Sequence, residues 1–121
     1  MSESNVELAR RGFQAISRGD VETVGDLLDP AVKWHGGDPA SGCQNRRQAL
    51  EWMRQVSARS PRPELVDVID AGDKIVVILR RPADDGESTE LVANLTTFRD
   101  GKAVEMVHYP NPDDARAAAG T

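Results

Sequence analysis

The hydrophobic period of this chain changes once, and the change sits at "SPRP" (Ser60 to Pro63). Before it, apolar residues recur at helical spacing; after it, they alternate as in strands. Helices followed by a run of short strands specify an α+β fold, with the helices packed on one face of a mostly antiparallel sheet. At 121 residues the chain is expected to form one domain over 1–121.

The helical half is punctuated by caps. Ser4 and Glu7 form a capping box ahead of Val6, Ala9, Phe13 and Ile16, and Gly19 ends that run. Asp20 opens a second helix with Val21, Val24, Leu27 and Leu28 on its apolar side, stopped at Asp29-Pro30. A short strand covers Ala31 to His35, and "GGDPASG" reads as loop. A third helix fits Arg46 to Ala58, with Ala49, Leu50, Trp52, Met53 and Val56 on its apolar face. The strand half predicts Leu65–Ala71, Lys74–Arg81, Glu90–Arg99 and Lys102–Tyr109, and an alanine-rich helix over Pro112–Ala119. Asp100-Gly101 between the last two strands is a two-residue hairpin signal, while "PADDG" is an open loop.

"KIVVILR" (Lys74 to Arg80) is apolar on both faces, so both faces are covered. With the helices on one side, the other is expected to meet a second subunit in a two-fold homodimer. A two-residue hairpin pairs Leu95 with Met106 and Ala93 with His108, and opposed residues share a face. The more apolar set, Leu91, Ala93, Leu95, Thr97, Val104, Met106 and His108, is then expected inside. Asn94, Thr96, Phe98, Ala103, Glu105, Val107 and Tyr109 are expected outside. His108 points inward. His35 alternates with Lys33 toward solvent, but Gly36-Gly37 can re-aim it, which leaves its direction open.

Several function classes fall away on charge and motif. A net charge of −5 with scattered basic residues argues against nucleic acid as a partner. The start "MSESNVEL" has neither a basic region nor an apolar run, and no stretch reaches membrane length. A single cysteine, Cys43, forbids an internal disulfide, so a reducing cytoplasmic setting is expected. No H-x-H, H-E-x-x-H, C-x-x-C, G-x-S-x-G or phosphate-loop spacing occurs, so neither metal nor cofactor is expected.

The order of parts resembles the SnoaL-like branch of the nuclear transport factor 2-like superfamily. It is carried by "GFQAISRGDVETVGDLLDPAVKWHGG", "GCQNRRQALEWMRQ", "VDVIDAGDKIVVILR", "TTFRDGKAVEMVHY" and "DDARAAAG". The resemblance implies a cone: a strongly curved, mostly antiparallel sheet wrapped on three helices, with a pocket inside and a dimer across the sheet. It places His35 near the catalytic aspartate of ketosteroid isomerase, and His108 near a pocket aspartate of limonene epoxide hydrolase. Gly12 and Phe13 stand where the isomerase carries its tyrosine donor. Scytalone dehydratase uses paired pocket histidines, which fits the two histidines here. Fold alone does not fix the chemistry in this superfamily.

Histidine suits proton transfer near neutral pH, and an imidazole in an apolar cone stays neutral. The expected site therefore has His108 as general base and His35 as an assisting acid or base. Trp34, Trp52, Phe13, Met53, Met106 and Leu95 would contact a small, largely apolar or polyketide-like molecule. Two readings follow: a cofactor-independent isomerase, dehydratase or cyclase, and a non-catalytic ligand-binding or accessory dimer.

Overall fold

The computed structural model describes residues 4–36, 42–59, 64–83 and 85–120. Residues 37–41, with most of "GGDPASG", and residues 60–63 lie outside the described residues, as do the side chains of Val56 and Ala58. The elements run α1 (Asn5–Arg18), α2 (Val21–Leu27), β1 (Leu28–His35), α3 (Arg46–Arg59), β2 (Glu64–Ala71), β3 (Lys74–Pro82), β4 (Thr89–Arg99), β5 (Lys102–Tyr109) and α4 (Pro112–Ala119).

The helix ends form where the cap chemistry puts them. The Glu7 amide donates to Ser4 Oγ, the Thr23 amide donates to Asp20 Oδ1, and Gly19 closes α1 in the left-handed conformation. β1 begins earlier than expected, at Leu28, and carries Pro30 within it. The Ala31 amide donates to the Asp29 side chain, and proline has no N–H to offer. The ladder to β5 shifts register across that segment, between Leu28 and Lys33.

The sheet order is β1-β5-β4-β3-β2, antiparallel throughout except that β1 joins β5 in parallel at the edge. Its inner face packs on the first three helices. Ile75, Val77, Leu79, Val92, Phe98, Ala103 and Met106 meet Leu8, Ala9, Phe13, Val24, Leu27, Ala49 and Met53 in one core. Each fully buried aliphatic there is worth roughly 1.5–3 kcal/mol.

The outer face of β3 carries a small core of its own. Val76 and Ile78, with Ala93 and Leu95, pack beneath Ala115 and Ala119 of α4. Alanines let that short helix lie close to the sheet, and its ends are capped by Asn111 and Gly120. Val76 and Ile78 of the two-sided apolar strand are thus buried within the chain.

The β4–β5 hairpin turns as expected on Asp100 and Gly101, both at positive φ, and pairs Arg99 with Lys102 and Phe98 with Ala103. The ladder then slips: Thr97 faces Glu105, Thr96 faces Met106 and Asn94 faces His108. Val104 is the extra residue of a β-bulge. One residue reverses one strand against the other. Met106 and His108 stay on the inner face as expected, but in β4 the inner residues are Val92, Asn94, Thr96 and Phe98. Leu91, Ala93, Leu95 and Thr97 lie on the outer side, so Leu95 is removed from the expected pocket lining.

Candidate functional site

Neighbouring strands bring a line of polar groups to the inner face, in a sheet otherwise lined with aliphatics. At its exposed end Arg81 Nε donates to Glu90 Oε1 at 2.9 Å, a pair set by the β3–β4 register. Next comes His108, half-buried on β5. Directly opposite it, Asn94 is 3% exposed, and two residues further along Thr96 is 2% exposed. The Thr96 hydroxyl donates to Asn94 Oδ1 at 2.6 Å. The other edge of the carboxamide is Nδ2, for which no protein acceptor is found among the described residues.

Burial is the first cause holding the His108 imidazole below its ordinary value, and the Arg81 guanidinium adds to it; the Glu90 carboxylate opposes both. The imidazole is thus neutral at neutral pH, with a lone pair on one ring nitrogen. No hydrogen bond to His108 is found among the described residues. It is a base with no protein proton to take.

His35 does not join it. Through its pairing with Val107, His35 belongs to the outer side of the sheet, where its Nε2 lies 3.0 Å from Glu105 Oε2. It follows the alternation with Lys33, as expected, yet it is buried rather than solvated. The chain at Gly42 comes so close to it that a side chain at that position would meet Trp34 O and the His35 backbone. Gly42 adopts φ +91°, and its neighbour Cys43 forms a two-way backbone bridge with Trp34. The two histidines therefore occupy opposite faces, and the expected acid–base pair is not assembled.

The remaining expected contacts divide. Phe13, Met53 and Met106 are core residues beneath the inner face. Trp34 is partly buried there and meets Trp52 edge-to-face, with ring centroids 5.0 Å apart. Trp52 itself is 46% exposed on α3. Sequence reasoning missed Asn94, Thr96, Arg81 and Glu90. A signal existed in "ANLT": two polar residues, spaced to share a face, interrupt an otherwise apolar strand.

Residues 9–106 match the SnoaL-like domain. The chain belongs to that family. Among solved structures, the SnoaL-like chain is similar to an NTF2-like protein of unknown function from Burkholderia pseudomallei. That pair is 21% identical over 98% of this chain and 100% of the other, with a TM-score of 0.72. A proposed polyketide cyclase from Sinorhizobium meliloti is 17% identical over 84% of this chain and 93% of its own, also at 0.72. TerC, crystallised with polyporic acid, is 21% identical over 97% of this chain and 98% of its own, at 0.71. These likenesses establish the cone-shaped α+β fold shared by the family. No curated protein matches the chain.

Two further features of this SnoaL-like chain stand apart from the inner face. Burial pushes the Cys43 thiol up from its ordinary value, so it stays protonated and unreactive at neutral pH. A groove of about 360 Å³ lies between Pro30 and the start of α3, lined by Asn45, Arg46, Arg47, Leu50, Glu51 and Arg54. It contains none of the inner-face polar groups. Among the described residues no cluster of three metal-ligating side chains occurs, and no helix is long and apolar enough to cross a membrane.

Proposed function

We propose that this protein takes a small, largely apolar molecule against the inner face of its sheet and moves a proton on it, with His108 as general base. The observation that carries this reading is a neutral, half-buried imidazole without a hydrogen-bond partner among the described residues, on the face that the helices enclose. A satisfied core histidine would donate or accept within the fold. A base waiting for a substrate proton would not. Trp34 and Met106, which pair across β1 and β5, offer the apolar wall beside it. The fold's likeness to a proposed polyketide cyclase and to a protein crystallised with polyporic acid supports a flat, oxygenated ligand. The reaction class is a cofactor-independent isomerisation, dehydration or cyclisation.

A second reading has an observation of its own. Because His35 sits on the other face, His108 lacks the second histidine that would return the proton. This favours a protein that shelters its ligand without changing it.

Deuterium exchange separates the two. β-Tetralone carries an acidified C–H beside its carbonyl. In D2O the protein should accelerate exchange there, and His108→Ala should lower that acceleration by roughly 10²–10⁴-fold while leaving the fold intact. Exchange by wild type at the buffer rate, with the ketone bound and recovered unlabelled, would establish the sheltering role. Equal exchange by wild type and His108→Ala would make His108 a bystander.

A further inference from the structure

The inner face contains a second polar device that the proton-transfer reading does not use. Asn94 is almost wholly buried at the centre of β4, directly opposite His108. Opposed residues in an antiparallel pair have Cβ atoms about 4.5–5.5 Å apart, so one ligand can touch both side chains. A buried carboxamide carries two donors and one acceptor. Here the acceptor is occupied, because Thr96 donates its hydroxyl proton to Asn94 Oδ1 at 2.6 Å. On its nitrogen edge the amide still offers the Nδ2–H donors, and no acceptor for them is found among the described residues.

The amide lies with Oδ1 toward the Thr96 hydroxyl, which donates to it. Thr96 is held in turn: it is buried, β-branched and stiff at χ1, and pairs across to Ile75 and Met106. Among the described residues no fully buried side-chain nitrogen or oxygen lacks a partner, so Nδ2, which bonds to none, is not sealed from solvent. A pair of residues that fixes such an amide with its donor free is an arrangement for a ligand acceptor.

We propose that Asn94, held by Thr96, is the donor that fixes a ligand's carbonyl oxygen on the inner face, and that this selects carbonyl compounds over isosteres lacking an acceptor oxygen. Thr96 is a positioning residue in this scheme and acts only through Asn94. The inference rests on the inner-face site described above and adds its specificity. It also defines the geometry of the chemistry. With the oxygen on Asn94 Nδ2–H, the adjacent carbon faces His108. Its proton passes to the imidazole nitrogen, the C–H electron pair becomes the new C=C bond, and the carbonyl π pair moves onto the oxygen that Asn94 holds. Return of the proton to carbon or oxygen completes the balance.

The test compares β-tetralone with β-methylenetetralin, in which an exocyclic methylene replaces the carbonyl oxygen. Binding is followed by NMR on the intact protein. Wild type should bind the ketone roughly three- to tenfold tighter, as expected for one net hydrogen bond. The Asn94 side-chain amide resonances should shift with the ketone and stay put with the alkene. Thr96→Val should lose most of the preference, and Thr96→Ser should restore it, while affinity for the alkene stays constant in both. The amide resonances need no variant, so an unfolded mutant does not blunt the test. Saturable binding of both compounds with equal affinity would overturn the role of Asn94 and leave the inner-face site standing. Absence of saturable binding for either compound would overturn the site and this inference together.

Discussion

His35 and His108 hang from adjacent strands of one sheet and face opposite ways, and nearly everything about them differs. His35 is buried on the outer side of an edge strand, pinned under a glycine, with a carboxylate 3.0 Å from Nε2. His108 is half-buried on the inner side, without a hydrogen-bond partner among the described residues, opposite an amide whose oxygen accepts from Thr96. The first is built as part of the fold. The second is built as an unused capacity. A histidine's role is therefore read from what its ring nitrogens touch, and the side of the sheet decides what is there to touch.

The contrast between the faces is sharpest in their packing, and its test carries the largest effect. Three helices cover the inner face and α4 covers the outer one, so Ile75→Ala and Ile78→Ala should cost similar amounts, about 2–5 kcal/mol each. Urea denaturation of both variants measures this. A loss below about 0.5 kcal/mol at Ile78, the level of an exposed site, would mean that α4 does not cover that face in solution.

The same packing explains what the sequence made legible. Caps, breakers and hydrophobic period are local properties, and α1, α2, α4 and β5 lie where Ser4, Asp20, Pro112 and Lys102 signal them. The inner face of β4 was not legible, for two physical reasons. A bulge at Val104 follows the Asp100-Gly101 turn with no marker in its residue type, and it reverses β4 against β5. Apolar content then misleads, because Ala93 and Leu95 are apolar to suit α4, not the interior. Asn94 and Thr96 look like surface residues, yet they lie inside, where the Thr96 hydroxyl donates to Asn94 Oδ1. A polar group in a covered strand carries more information than its aliphatic neighbours, but only once the register is known.

The histidines themselves give the intermediate effect. His35→Ala removes the partner of Glu105 and empties a buried position, and should cost about 1–3 kcal/mol in urea unfolding. His108→Ala, which breaks no bond among the described residues, should stay within about 0.5 kcal/mol of wild type. A reversed order of the two losses would break the division between structural and available histidine.

The smallest effect is a pH dependence that belongs to His108 alone. Its imidazole titrates below the ordinary 6.5 when folded, chiefly because burial disfavours the charged ring. Well above 6.5 the ring is neutral in both folded and unfolded chains and contributes nothing. As the pH falls through 6.5 toward the lowered folded value, the unfolded chain takes up a proton that the folded chain refuses, and folding weakens. His108→Gln removes that proton and should make the denaturation midpoint less sensitive to pH between 8 and 5. Asp20 and Asp85, whose carboxyls are held below 3.8 by hydrogen bonds, lose their contributions only in stronger acid and do not mimic the trend. Half-exposure and solvent screening keep the difference smaller than the cost of His35→Ala. Parallel pH curves for wild type and His108→Gln would show that the ring charges as freely inside the fold as outside it. The burial that disfavours the charged ring would then be absent.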